Sequence, residues 1–376
     1  MNSVGIDVSK GKSMVSVTRP FGKVVMKPIE VRHTTSELKS LADYLKSLDG
    51  ETRVIMEHTG RYYEPVAQML HDSGLFVSAI NPKLIKDYGN NSLRKLKTDK
   101  ADSMKIARYG LDNWIRLRQH TSMDTIRYQL KTINRQYGLY TRNKTALKNN
   151  LISLLDQIFP GANALFDSRA RSDGSQKWVD FVTSFWHVDC VRTMSQNAFA
   201  ERYHKWCERH GYNFSALKAA EIHVEAKDLI AMLPKDALTK LLIQEAIIQL
   251  NAASRTVELL RAEMKHLAEQ LPEYPVVMSM YGVGDSLGPQ LMAEIGDVIR
   301  FAHKGSLTAF AGVDPGASQS GTYEAKSTRA SKHGSPELRK TLFLVMDVLI
   351  REHRLMILCS ALWERNVPRA SPTSST

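Results

Sequence analysis

The chain opens on short apolar runs at strand spacing. Val4, Ile6 and Val8 alternate with small or polar residues, and Met14 to Thr18 and Val24 to Val31 repeat the habit. Gly11-Lys12 and Pro20-Phe21-Gly22 lie between them, so three strands joined by tight turns are predicted. The period then lengthens. Thr34-Thr35-Ser36-Glu37 has the form of a capping box, and Leu38, Leu41, Tyr44, Leu45 and Leu48 follow at helical spacing. Arg53 to Glu57 predicts a strand, Tyr62 to His71 a helix carrying Val66, Met69 and Leu70, and Leu75 to Ile80 a buried strand stopped by Asn81-Pro82. Hairpin strands followed by alternating helices and strands describe an α/β sheet with an antiparallel part.

Beyond residue 118 the pattern is helical. Ile126, Leu130, Ile133, Tyr137, Tyr140, Leu147, Leu151, Leu154 and Ile158 are spaced four and three apart, with Lys144 in the one polar slot. This is a heptad stripe of coiled-coil length, ended by Pro160-Gly161. A second stripe runs through Ile243, Ile247, Leu250, Val257, Met264, Ala268 and Leu271 to Pro272. Together they predict a long antiparallel coiled-coil arm, plainly a structural element or a dimer interface. A helix-leaning insertion at about 162–235 separates them. Arg127, Lys131, Arg135, Arg142 and Lys148 offer either an RNA-facing surface or a solvated face. The divisions expected are therefore 1–118, 119–271, 272–350 and a tail at 351–376.

Charge changes the picture. Lys and Arg number 51 against 39 Asp and Glu, a net charge of +12, which suits an anionic partner such as nucleic acid. Three cysteines without a CxxC pair argue for a reducing compartment and against a disulfide framework. No apolar run reaches membrane-span length and no signal region opens the chain, so a soluble cytoplasmic protein with no membrane partner is expected.

Several carboxylates stand out against this basic background. Asp7 sits in the first apolar run, where an ionised group is costly unless a cation or hydrogen bonds hold it. Glu57 ends a strand, at the edge where open α/β sheets build sites. Asp99 and Asp102 share one face of a first helical turn capped by Thr98. Each has a plain reading: a turn cap, an exposed strand-end acid, and acids complementing a helix dipole. Yet residues 83–118, which include Lys97 and Lys100, hold ten Lys and Arg against four Asp. Cations that grip a phosphate backbone around carboxylates that hold Mg²⁺ are what a metal-dependent nuclease needs.

Near the other end, Tyr281-Gly282-Val283-Gly284 before Leu291 to Gly296 has the form of a helix-hairpin-helix, whose Gly282 and Gly284 turn offers N–H groups to a DNA phosphate. A plain turn between packed helices explains it equally. Ser318-Gln319-Ser320-Gly321 reads as an irregular segment, and Lys326, Arg329, Lys332, His333, Arg339 and Lys340 follow it. A hydroxyl among cations is a place where a phosphoserine can form, although a turn serine accounts for the residues alone. In the insertion, His187-x-x-Cys190 and His204-x-x-Cys207 raise the alternative of zinc, at a spacing unlike the usual fingers.

Taken together these motifs carry a resemblance. Gly5-Ile6-Asp7-Val8-Ser9-Lys10, Glu57-His58-Thr59-Gly60-Arg61-Tyr62 with Pro65, and Lys97-Thr98-Asp99-Lys100-Ala101-Asp102 resemble the DEDD set of RuvC-like, ribonuclease-H-fold nucleases. They are similar in particular to the transposases of the insertion-sequence group IS one-ten, understood as bridge-RNA-guided recombinases. The resemblance implies a mixed RuvC-like sheet with helices and a mainly helical C-terminal transposase domain. It also implies Mg²⁺, at one or two ion positions, on Asp7, Glu57, Asp99 and Asp102. Phe310-Ala311-Gly312, Ser320-Gly321 and Ser331-Lys332-His333-Gly334 look like the transposase domain, and the family's catalytic serine maps to Ser320, with Ser318, Ser327 and Ser331 as lesser candidates. Implied with it are a covalent 5′-phosphoserine, target and donor DNA, a non-coding bridge RNA, a tetramer built as a dimer of dimers, and a bacterial or archaeal nucleoid setting. The Pro/Ser/Thr-rich end after Ile350 departs from the pattern and reads as a truncation or frameshift.

Three rivals remain. A resolvase would cut without covalent attachment. A non-catalytic nucleic-acid scaffold would need only the charge and the helices. An actin-like or sugar-kinase ATPase also opens with Gly-Ile-Asp but wants glycine where Ser9 stands.

Overall fold

The structure is a computed structural model that describes residues 1–58, 60, 62–88, 98–120, 123–315, 319–320, 323–324 and 329–351, without the side chains of 319, 320, 323 and 324. It divides into two compact units, Met1–Ser122 and Met123–Thr376.

The first unit is built on a five-stranded mixed sheet. Strands β1 (Asn2–Ser9), β2 (Lys12–Arg19) and β3 (Lys23–Arg32) form an antiparallel meander. Helix α1 (Thr35–Ser47) leads to β4 (Thr52–Glu57), and α2 (Tyr63–Asp72) leads to β5 (Phe76–Ile80). β4 pairs parallel to β1, and β5 parallel to β4, giving the order β3-β2-β1-β4-β5. Two helices follow, α3 (Pro82–Tyr88) and α4 (Asp99–Asp112). Thr34 caps α1 as its sequence predicts, accepting from the Glu37 amide at 3.3 Å. Glu37 reaches back past the cap to the Arg32 amide at 2.7 Å, so the box closes on the end of β3.

Strand alternation sorts the sheet's two faces. Val4, Ile6, Val15, Val17, Val54, Met56 and Val77 turn to one side and pack with Leu38, Leu41 and Leu45 of α1 and Val66 and Leu70 of α2. Ile55 turns to the other, with Ile85, Ile106 and Trp114. On that second face α4 lies directly on β1. A Cβ built on Gly5 would come 2.0 Å from the Ser103 carbonyl oxygen, and one on Gly110 would come 2.4 Å from Ser3 Oγ. Ser3 Oγ donates to the Ala107 carbonyl at 2.7 Å. Small residues on both elements permit this approach.

Among the described residues the second unit is helical apart from one hairpin. α5 (Thr125–Leu155) and α10 (Ala237–Glu269) run antiparallel, and between them come α6 (Lys177–Ser184), α7 (Asp189–Arg192), α8 (Gln196–His210) and α9 (Ala216–Asp228). Leu130, near the start of α5, packs with Met264 and Ala268 near the end of α10. At the opposite ends Leu151 and Leu155 join Ile243, Ile247 and Leu250. The insertion adds Phe181, Phe185, Phe199, Tyr203 and Trp206 to the same core. All seven positions of the second stripe are buried. The first is rotated: Asn134 and Leu155, outside the stripe, are buried, while Ile133, Tyr137 and Leu147 are only partly covered.

The chain ends in α11 (Tyr274–Met278), α12 (Leu287–Ile295), α13 (Lys304–Ala311), the two-residue strands β6 (Gln319–Ser320) and β7 (Tyr323–Glu324), and α14 (Pro336–Arg351). One buried carboxylate ties three of these helices together. Glu294 of α12 accepts from Asn134 Nδ2 at 2.7 Å and from Arg135 Nη2 at 2.9 Å, both on α5. Ser335, which caps α14, donates to it at 3.3 Å. Arg135 also pairs with Glu337 of α14 at 2.7 Å. Burial pushes the Glu294 carboxyl up, against the pull of Arg135 and Asn134. No helix among the described residues is long and apolar enough to cross a membrane.

The Gly5 contact makes a test of the fold. Gly5→Ala forces α4 off β1 and is expected to cost roughly 3 kcal/mol by analogy with overpacked cores. Gly284→Ala, with nothing within 4 Å of its would-be Cβ, is expected to be near neutral. Thermal and urea denaturation of the full chain compares the two.

Candidate active site

The register of the sheet brings the first two carboxylates together. Ile6 lies opposite Met56 in the parallel β1–β4 pair, so Asp7 and Glu57 stand one step further on, side by side at the strands' C-terminal ends. Both share the face of Gly5 and Ile55, the face that α4 covers. The direction of α4 supplies the other two. Its Ala107 bonds Ser3 and its Ser103 touches Gly5, so each turn back toward its start moves one turn along β1 toward Asp7. Asp99 and Asp102 occupy that first turn, behind Thr98, whose hydroxyl accepts from the Ala101 amide at 3.2 Å.

Electrostatics report the convergence. The Asp7 carboxyl is raised from 3.8 to about 6 by burial first, then by the charges of Asp102, Asp99 and Glu57. The four acids thus share one field, in which the other three bear on Asp7. Lys12 of β2, ion-paired with Glu30 at 2.8 Å, also feels the charge of Asp99. Among the described residues no three His, Cys, Asp or Glu side chains converge closely enough to hold an ion. The chemistry of the set nevertheless fits one: four carboxylates are oxygen donors suited to a hard divalent cation, and such an ion would offset the charge that raises Asp7. Lys100 is exposed on α4, while Lys97, Thr59 and Arg61 lie outside the described residues.

The residues that sequence reasoning missed are the small ones. Ser3, Gly5, Ser103, Ala107 and Gly110 carry no site chemistry, yet they set the distance between α4 and the sheet. Their signal, small residues at strand and helical spacing, was present but mute without the pairing.

In the second unit, Ser320 lies on β6, opposite Tyr323 of β7. A bridge between Pro315 and Ala330 closes the base of this hairpin. Ser331 to Ser335 then knits onto the preceding segment: Lys332 N donates to the Gly312 carbonyl at 3.0 Å and Ser335 N to that of Phe310 at 2.6 Å. Gly334 is required there, since its Cβ would lie 2.0 Å from the Phe310 carbonyl oxygen. Arg329 and Lys332 are exposed. Arg339 turns inward and donates to the Ala311 carbonyl at 3.1 Å, bracing the loop. Ser318, Ser327 and Lys326 lie outside the described residues. Ser331 hydrogen-bonds Asp314 through side chain and backbone.

The glycine turn at 282–284 joins helices of five and nine residues. Gly282 combines a left-handed φ of 78° with close packing on Val345 and Leu349 of α14, and both call for glycine there. The zinc alternative fails on hydrogen bonding. His187 Nε2 lies 3.1 Å from the Leu233 carbonyl and its Nδ1 accepts from the Asp189 amide at 3.0 Å, leaving neither nitrogen for a metal. Cys190 and Cys207 are buried free thiols, and His204 packs at 4.5 Å on Phe214.

A carboxylate cluster on a mixed sheet, joined in one chain to a helical unit with a cation-flanked hairpin serine, defines a nucleic-acid-processing class. Comparison with known proteins names it. Residues 4–160 match the transposase family DEDD_Tnp_IS110, and residues 274–357 match the family described as Transposase IS116/IS110/IS902. The chain belongs to this family of transposases, the IS one-ten group named above. It is 21% identical over 341 residues, 91% of this chain and 82% of the other, to "Insertion element IS110 uncharacterized 43.6 kDa protein" of Streptomyces coelicolor. Among solved structures it is similar to RuvC of Thermus thermophilus, alone and "in complex with Holliday junction substrate". Each covers 31% of this chain and 96% of that one, with a TM-score of 0.24 and identities of 16% and 13%.

The raised Asp7 carboxyl has a stability consequence with a definite sign. The folded chain holds this proton up to about pH 6, whereas the unfolded chain releases it near 3.8. The cost therefore grows as pH rises through that window and is fully present above it. For a half-buried group it is on the order of 2 kcal/mol. Asp7→Asn is expected to raise stability at pH 7.5 in EDTA and to remove this part of the pH dependence. Mg²⁺ is expected to stabilise the native chain and not the variant, as read by thermal denaturation.

Proposed function

We propose that the chain cuts and exchanges DNA strands for an insertion element, using the carboxylate cluster of its first unit and Ser320 of its second. The observation that carries this reading is the Asp7 carboxyl, raised to about 6 by burial and by Asp102, Asp99 and Glu57. An acid held at a cost beside three others, in a chain of net charge +12, serves binding of a cation at a phosphate better than it serves stability.

In this reading Asp7, Glu57, Asp99 and Asp102 hold Mg²⁺, at one or two positions. The bound cation supplies neutralisation of charge on the scissile phosphate. Ser320 Oγ attacks the phosphorus. The Oγ–P bond forms, the P–O3′ bond breaks, and the serine proton passes to the departing 3′ oxygen. The products are a 5′-phosphoserine and a free 3′-hydroxyl, and attack by another 3′-hydroxyl reverses the step on a new strand. Arg329 and Lys332, exposed beside the hairpin, neutralise neighbouring phosphates, and the amides near Gly284 offer another phosphate contact. A guide RNA pairing with target and donor DNA supplies sequence choice, which spares the protein direct readout of bases. Exchange between two duplexes further calls for more than one protomer.

Strand exchange on a supercoiled donor–target substrate with its guide RNA tests the assignment. Asp102→Ala and Ser320→Ala are each expected to reduce exchange at least about 1,000-fold, the scale of losing a catalytic group, while RNA binding stays within threefold. A denaturation-resistant protein–DNA adduct that disappears in Ser320→Ala supports the covalent route. Cleavage without any adduct would replace it with a resolvase-type hydrolysis.

A further inference from the structure

Beside the carboxylates of the first unit stand two cations that the fold alone does not explain. The meander sets Asp7 opposite Met14, and Met14 opposite Glu30. Two residues further along β1, Ser9 lies opposite Lys12, and Lys12 opposite Arg32. Residues directly opposite, and residues two apart on one strand, share a face. Lys12, Glu30 and Arg32 therefore stand on the face of Asp7, at the same end of the sheet. By strand spacing and rise, the backbone of Lys12 lies about 8 Å from that of Asp7, and that of Arg32 about 12 Å. Glu57 of β4 flanks Asp7 on its other side, so the strand ends run from acids to cations.

As a cross-strand pair the two cations are unfavourable. Like charges directly opposite one another destabilise a sheet. Edge protection accounts for a charge on β3, the outermost strand, but not for one facing it on β2, an inner strand. One acid relieves the pair in part. Glu30, diagonal to Lys12, meets it at 2.8 Å, and both side chains are about half exposed. Arg32 is exposed and makes no ion pair among the described residues. The charge of Asp99 also reaches Lys12, adding to the larger pull of Glu30 on its ammonium. Cations and acids thus border one space, and a strand lying on the acids and continuing toward β3 passes Lys12 first and Arg32 second.

We infer that Lys12 and Arg32 grip successive backbone phosphates of one DNA strand on the β3 side of the carboxylate cluster, and that Glu30 holds Lys12 until a phosphate replaces it. The site takes phosphodiesters and reads no base, so it positions a strand without selecting it. The inference rests on the proposed reading of the acids as the place of cleavage. It is measured as binding, with neither Mg²⁺ nor Ser320 required, so the two can fail separately.

Fluorescence anisotropy of a labelled duplex of the element's end, bound by the full chain with its guide RNA in EDTA across a salt series, provides the test. Lys12→Ala and Arg32→Ala are each expected to weaken binding and to lower the slope of log affinity against log salt by about 0.9, one phosphate contact each, and the double variant by about twice that. Lys46→Ala, exposed on α1 at the other face of the sheet, is expected to leave the slope unchanged. Glu30→Gln is expected to tighten binding about two- to fivefold, the scale of an exposed ion pair, and to lose most of that gain when Lys12 is also alanine. Affinity for the guide RNA alone is expected to be unchanged. Thermal denaturation confirms that each variant stays folded. A slope indifferent to both K12A and R32A, an equal drop in K46A, an E30Q gain that survives without Lys12, or an equal loss of guide-RNA affinity would each overturn the inference.

Discussion

Everything in the first unit depends on how closely one helix can approach one strand. β1 and α4 meet backbone to backbone because Gly5 and Gly110 leave the space that any Cβ would fill. The Ser3 hydroxyl fixes the longitudinal register by bonding the Ala107 carbonyl. With separation and register set, the first turn of α4 has one place to go, above the C-terminal ends of β1 and β4. The acids do not find one another by attraction, since all four carry the same sign. They are carried there by packing, and the hydrophobic burial of Ile55, Ile85 and Ile106 around α4 holds them in place.

The two units solve the problem of buried charge differently. Glu294 is buried, but Asn134, Arg135 and Ser335 satisfy it, and the result is a structural joint between helices. Asp7 has three like charges for neighbours, and its proton is held well above the usual range. Strand ends with such a concentration of negative charge gain stability from a bound cation. The contrast separates a carboxylate that serves the fold from carboxylates that the fold supports at a cost.

Much of this was legible in the residues. Period-two runs gave the meander, and the Thr34 and Thr98 caps located their helices. The spacing of Asp99 and Asp102 placed both on one helical face. Legibility ended where the information lay in pairing. Nothing local to Gly5 says that it meets Ser103 and Ala107, or to Gly110 that it meets Ser3 and Ile55, because the cause is contact between segments far apart in the chain. Glycine at 282 suggested a phosphate-binding turn, but its packing on Val345 and Leu349 could not be read from the turn alone. His187-x-x-Cys190 suggested metal until backbone partners occupied both ring nitrogens.

The joint at Glu294 also has a mechanical meaning. α5 is 31 residues long, a rigid rod of about 46 Å at helical rise, and Asn134 and Arg135 clamp it near its base to α12 and α14. Ser335, bound to the same carboxylate, is the last residue of the loop that closes onto Phe310 and Gly312. The rod and that loop therefore share a fulcrum. A tilt of about 5° at the clamp would carry the far tip of the rod, about 30 Å away, through roughly 3 Å. The clamp that seats the arm is therefore also the one that seats the loop before α14.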